Sequence, residues 1–169
     1  MPRPQLQWAA LAFTLCAGLA LANDDDNRAR ARLSGFQEVL PLATSGTGRF
    51  DAHLKPTSFT YELSYSGLDA PATQAHIHFG QKAVNGGIVV FLCTNLGNGP
   101  AGTPACPGSG GTVSGTITAA SVIGPAGQDI SPGEFDDLLR AMRAGATYAN
   151  VHSTKFPGGE IRGQIKIDD

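Results

Sequence analysis

Three of the four histidines of this chain fall in two short segments, His76-Ile77-His78 and Asn150-Val151-His152. Imidazole exchanges protons near neutral pH and ligates transition metals, so these two segments hold the most concentrated chemistry in the sequence. In the first, Gln74, His76 and His78 alternate with Ala75, Ile77 and Phe79; in the second, Asn150 and His152 alternate with Ala149 and Val151. A period of two is that of a β-strand, which sets His76 and His78 on one face roughly 7 Å apart. If the two strands are neighbours, His152 joins them and three nitrogens converge on one metal ion, copper or zinc by ligand type. Gln74 and Asn150 are then the candidates for accepting the second ring N–H of a ligating histidine. The competing reading has the three histidines hydrogen-bonded within the fold and serving packing alone. A His-x-His spacing is common by chance, and the third histidine is what lifts it. His53 stands apart, alternating with Arg49 and Asp51 on a solvated face.

A second polar group surrounds the end of the chain. Glu160 and Arg162 share a strand face, and Glu38 lies beside Gln37 in what reads as the first strand. The expectation is a structural ion pair of Arg162 with these carboxylates, tying the last strand to the first. Pro157-Gly158-Gly159 reads as a turn whose glycines supply positive φ. Enzyme motifs are lacking: no serine sits in a nucleophile elbow and no glycine-rich strand-to-helix fingerprint occurs.

The elements that must position these residues are short strands separated by Gly, Pro and Ser. Phe50, Ala52 and Leu54, then Phe59, Tyr61, Leu63 and Tyr65, alternate with polar residues around Lys55-Pro56-Thr57-Ser58, an antiparallel hairpin with one face on the core. Ile88 to Leu92 is apolar on both faces and reads as a central strand. Thr112 to Ala120 and the segments around Val151 and Ile165 complete the set. One helix stands out. Ser131-Pro132-Gly133-Glu134 has the form of a capping box with proline at the first helical position; Phe135, Leu138, Leu139 and Met142 follow at helical spacing, and Gly145 is placed to end it.

The N-terminus reads as a processing segment. Arg3 precedes an apolar or small run from Trp8 to Leu21, and Ala20-Leu21-Ala22 has the small-x-small pattern of signal cleavage, so residues 1–22 are taken as a signal peptide. The run is short for the ~20 apolar residues of a membrane-spanning helix and has no basic stop-transfer flank. Residues 23–31, with Asp24-Asp25-Asp26 and then arginines, read as a flexible charged leader, and residues 32–169 as one domain. The chain has 12 basic and 14 acidic side chains, and cleavage removes only Arg3 from that balance. Such a composition points to neither nucleic acid nor an anionic membrane, which call for clustered Lys and Arg. Cys93 and Cys106 form an even pair after cleavage and read as one disulfide in an oxidising compartment; thiolate ligation of a metal lacks the usual CxxC spacing. A crosslink over about 13–15 residues of Gly/Pro-rich loop contributes roughly 3 kcal/mol in the loop-entropy account.

Phe36-Gln37-Glu38-Val39, Ala75-His76-Ile77-His78-Phe79-Gly80, Asn85-Gly86-Gly87-Ile88-Val89-Val90, Tyr148-Ala149-Asn150-Val151-His152-Ser153 and Gly159-Glu160-Ile161-Arg162-Gly163-Gln164 together resemble the CHRD domain, the module named after chordin. The blocks occur in the family's order over roughly residues 32–167, with Ser153 where threonine is common and a longer Gly/Pro insertion between Cys93 and Cys106. The resemblance implies an extracytoplasmic β-sandwich-like module, seen in chordin beside domains that bind secreted signalling proteins. His76, His78 and His152 fall on the family's two histidine motifs, and Glu160 and Arg162 on its terminal motif. The His-x-His strand is also similar to the copper-ligand strand of copper/zinc superoxide dismutases, although the bridging and zinc ligands of those enzymes are absent.

The combined expectation is an exported, periplasmic or secreted all-β protein: an antiparallel β-sandwich of Greek-key or immunoglobulin-like type with one short capped α-helix. Its partners would be a metal ion, copper before zinc, or an extracytoplasmic protein. A copper-dependent dismutase-like enzyme is the alternative from another class. A purely adhesive domain, binding through loops such as 97–111, is the third.

Overall fold

The computed structural model describes Met1 and residues 27–168; the rest of the expected signal peptide lies outside the described residues. Among the described residues nine strands and one helix follow one another as β1 (Arg28–Ser34), β2 (Thr47–Lys55), β3 (Ser58–Ser66), β4 (Ala72–Phe79), β5 (Gly87–Thr94), β6 (Gly111–Thr118), α1 (Phe135–Arg143), β7 (Thr147–Ser153), β8 (Ile161–Gln164) and β9 (Lys166–Ile167). All-β with a single short helix is therefore the fold class. The strands belong to one antiparallel sheet in the order β5-β4-β7-β8-β1-β2-β3-β6, with β9 also on β1. The sheet nearly closes on itself: Tyr61 of β3 donates its hydroxyl to the Leu92 carbonyl of β5 across the interior.

The alternation that defines the hairpin holds residue for residue. Lys55 pairs with Ser58 around the Pro56-Thr57 turn, and Phe50, Ala52, Leu54, Phe59, Tyr61, Leu63 and Tyr65 are all buried. Fully burying a side chain of this size contributes ~1.5–3 kcal/mol, so the stripe of large residues on β2 and β3 is the main anchor of the sheet. Phe135 of α1 packs its ring 6.0 Å from Phe59 and fastens the helix to that stripe.

Four expectations are corrected. The leader expected over residues 23–31 gives way at Arg28 to β1, whose Ala29 and Ala31 are buried while its arginines face out. Glu38 is not in the first strand: it follows a 3-10 turn, Gly35–Gln37, that ends β1 and swings the carboxylate inward. β5 is terminal in the sheet rather than central. Its free edge is covered, because Ile123 N–H donates to Val89 O and Thr94 N–H to Pro104 O. That cover explains its burial and removes an exposed pairing edge. Finally, α1 starts at Phe135, not Pro132, since Gly133 has a φ of 91° that no helix accepts. Glu134 still reaches back to accept from Ser131 N–H at 2.6 Å. The other end is as expected: Gly145 has a φ of 65°, and the N–H groups of Gly145 and Ala146 bond to Met142 O and Ala141 O in a Schellman stop.

Cys93 and Cys106 are bonded, closing a loop with a sequence separation of 13. Asn95 spans the same loop, donating to Ala72 O and Cys106 O and accepting from Cys106 N–H. Replacing both cysteines by alanine is expected to lower stability by ~2–4 kcal/mol in urea unfolding. A loss below about 1 kcal/mol would mean that Asn95 alone orders the loop.

Candidate metal centre

β4 and β7 are neighbours, which the sequence left open. Their antiparallel register sets His76 opposite Asn150, Gln74 opposite His152 and His78 opposite Tyr148. Ala75, Ile77, Ala149 and Val151 point into the core, so the histidines stand on the other face of the sheet. There they are covered by the loops on either side of Gly86 and Pro157 and by the rings of Phe91 and Tyr148. His76 is 0 % exposed, His78 7 % and His152 6 %. One ring nitrogen from each lies within 4.8 Å of those of the other two.

Hydrogen bonding fixes which nitrogens are free. A carbonyl only accepts, so His78 Nδ1–H donates to Gly86 O at 3.0 Å and His152 Nδ1–H donates to Pro157 O at 2.9 Å. The Nε2 atoms of both neutral rings therefore carry lone pairs. His76 Nδ1 lies 3.1 Å from His152 Nε2 and donates to it. What is left is His76 Nε2 and His78 Nε2, buried and without a partner. Orphaned buried polar atoms are rare and costly, about 1–3 kcal/mol each. A cation among the three rings would find one nitrogen donor on each.

The rings are held firmly. His78 stacks on Tyr148 with centroids 4.8 Å apart and planes 2° from parallel, and Phe91 meets His76 edge-on at 4.4 Å. Burial drives all three away from the charged form. It pushes His76 down to about 2, with the neighbouring His152 and His78 adding to the effect. It pushes His78 down to about 4 against the opposing pull of the Gly86 carbonyl, and lowers His152 against that of Pro157. Neutral imidazole is the form that ligates a metal, so the set is ready for a cation at and below neutral pH.

Behind the histidines runs a buried polar network. Arg162 Nε pairs with Glu38 Oε2 at 2.6 Å, its Nη2 donates to Asn85 Oδ1 at 2.8 Å, and its guanidinium lies 4.4 Å from the Tyr148 ring centre. The expected tie between chain ends thus joins β8 to the segment after β1. Glu160 takes no part in the ion pair. It is fully buried, and its Oε1 accepts from Thr44 Oγ1 and from Asp69 N–H at 2.7 Å each. It anchors the loop before β2, and it points away from Arg162 because it precedes β8 rather than belonging to it.

A match to the family model of the CHRD domain runs over residues 29–165, from β1 to the end of β8. The chain belongs to the CHRD-domain family. No curated protein matches it. The histidine cluster, the Glu38–Arg162 pair and the disulfide all lie within the matched CHRD domain.

Neither residue expected to orient the histidines reaches them. Gln74 lies at the rim and accepts from Asn98 Nδ2 at 3.2 Å, and Asn150 donates to Glu38 Oε1 and Ile161 O, so neither touches an imidazole nitrogen. The backbone carbonyls of Gly86 and Pro157 fill that role in this CHRD domain. Carbonyls leave no residue-type signature, so the sequence could not nominate them. Tyr148 was within reach, being two residues before Asn150 on the same strand face. His53 is exposed on β2, apart from the cluster.

Proposed function

We propose that this protein is an exported binding module whose CHRD domain holds one transition-metal ion, copper first, through His76, His78 and His152. The observation that carries the reading is three buried imidazoles with their nitrogens within 4.8 Å, two Nε2 atoms having no partner. A purely packed histidine set would be expected to satisfy its nitrogens, as the large majority of buried polar groups in proteins do; here two of the four unpartnered buried side-chain atoms among the described residues belong to this one cluster. Neutral imidazoles suit copper, zinc and nickel, and Cu²⁺ heads the affinity order among first-row divalent ions. The three ligands are uncharged, so the positive charge of the ion is not cancelled within the set. The Glu38 carboxylate beyond Arg162 offsets the guanidinium on that side. Support for export comes from the signal-like pattern of residues 1–22 and from the disulfide, a bond kept in oxidising compartments. Among the described residues no helix is long and apolar enough to cross a membrane.

Calorimetric titration with Cu(II) tests the reading. One-to-one binding is expected, weakened at least 100-fold in His78→Ala/His152→Ala, with a higher thermal midpoint for the loaded wild type. Equal affinity of the wild type and a folded variant would remove the metal from the account and leave an interaction module whose histidines serve packing.

A further inference from the structure

Composition gave no hint of an anion-binding surface, yet the fold assembles one from residues outside the histidine cluster. Arg30, Arg32, Arg49, Lys82 and Lys166 line a single cleft of about 530 Å³, with Asp168 the one acidic wall residue among the described residues. The whole chain has 12 basic side chains and a net charge of −2, so nearly half its cations gather in one place on an otherwise acidic molecule.

The placement is costly to the fold itself. Arg32 of β1 stands directly opposite Arg49 of β2, and Arg30 directly opposite Lys166 of β9. Like charges facing across a strand pair destabilise the sheet. The acids within reach relieve only part of this: Arg30 pairs with Asp168 at 3.0 Å and with Asp51 at 3.7 Å, and Arg49 pairs with Asp51. Arg32 and Lys82 form no ion pair among the described residues, and both are exposed. Two unneutralised cations beside two like-charge pairs make a surface that an external anion would stabilise.

The form of the cleft narrows the choice of anion. Arg30 and Arg32 lie on the same face of β1 two residues apart, about 7 Å by strand geometry, with Arg49 and Lys166 flanking them. The charges thus repeat along a line, which fits regularly spaced acidic groups better than a single small ion. Planar guanidinium groups bind carboxylate or sulfate in bidentate fashion. The Nε2 groups of Gln37 and Gln164 already donate to Arg32 O, Ser34 Oγ, Gly80 O and Gly145 O, so these amides offer the ligand their oxygens, as acceptors for hydroxyls. No aromatic side chain lines the cleft, so it lacks the stacking platform of single-stranded nucleic-acid binders. From the register and the charge pattern we infer that this cleft binds an acidic polysaccharide, gripping carboxylate or sulfate groups along its chain. It shares no residue with the histidine cluster and does not rest on the metal reading.

The test compares the purified wild type with Arg32→Glu and Lys82→Gln for binding to polygalacturonate, to dextran sulfate and to duplex DNA at ~0.1 M salt. Wild type is expected to bind at least one of the two polysaccharides, and which one decides between carboxylate and sulfate. Arg32→Glu should weaken that binding at least tenfold while raising the thermal midpoint, since it replaces a like-charge pair opposite Arg49 with an opposite one. Lys82→Gln, an exposed loop change, should weaken it about threefold with the midpoint unchanged, as expected for losing one screened surface charge. Failure of wild type to bind either polysaccharide, tighter binding to duplex DNA, or equal affinity in wild type and both variants would each overturn the inference.

Discussion

Replacing Arg162 by alanine is expected to cost about 3–5 kcal/mol of stability, the range for breaking a buried ion pair from one side. The magnitude follows from what the substitution leaves behind. Glu38 is 6 % exposed and its Oε2 is paired to Arg162 Nε; without the guanidinium its carboxylate has only Asn150 Nδ2 as a donor. Burial already pushes the Glu38 carboxyl up, and Arg162 is the main group holding it down. The loss also frees the loop after β4, since Arg162 donates to Val84 O and Asn85 Oδ1. That loop carries Gly86, whose carbonyl orients His78. Lysine is no substitute, because one ammonium cannot meet Glu38, Asn85 and the Tyr148 face together. Urea unfolding of Arg162→Ala and Arg162→Lys checks this. A loss below about 1 kcal/mol in the alanine variant would show that the pair is energetically idle.

Acid is expected to unfold the metal-free protein earlier than carboxylate titration alone would. Each of the three histidines has a folded-state pKa below the ordinary value of 6.5, His76 at about 2 and His78 at about 4. The unfolded chain then binds more protons than the folded one as pH drops below 6.5, so the stability these groups contribute is full above that pH. It is lost progressively as pH falls toward the folded values. Each imidazole kept neutral adds up to ~1.4 kcal/mol per pH unit to the slope, a limit approached below the unfolded pKa. With His76 and His78 kept neutral the decline between about pH 6 and 4 amounts to several kcal/mol, a large part of a typical domain's stability, and the lowered His152 adds in the same direction. Chemical denaturation in the presence of a chelator, repeated at a series of pH values, measures it. A stability that is flat from neutral pH to about 5 would mean that the rings are reached by water and protonate freely.

Much of the molecule was legible because period-two alternation is a direct consequence of strand geometry. The β2–β3 hairpin, the polar face of β4 and that of β7 were read from it without loss. β1 was missed because its inward positions are Ala29 and Ala31, too small to stand out against Arg28, Arg30 and Arg32, so a strand resembled a charged leader. The adjacency of β4 and β7 was not legible, since 70 or so residues separate them and no local rule fixes which distant strands pair. The same holds for the cationic cleft, which gathers β1, β2, β9 and the Lys82 loop. Glu160 was grouped with Arg162 on alternation alone, and the chain turns between the two. The early start assigned to α1 trusted the Ser131–Glu134 motif, half of which exists as a turn, but Gly133 bends the backbone out of helical φ.

The central claim is that three imidazoles act as one metal-binding unit, and electron spin-echo spectroscopy of the Cu(II)-loaded protein tests it most directly. Modulation from three coordinated imidazoles is expected, falling to two in His152→Ala. A wild-type spectrum with one imidazole or none, or a spectrum unchanged by His152→Ala, would contradict it.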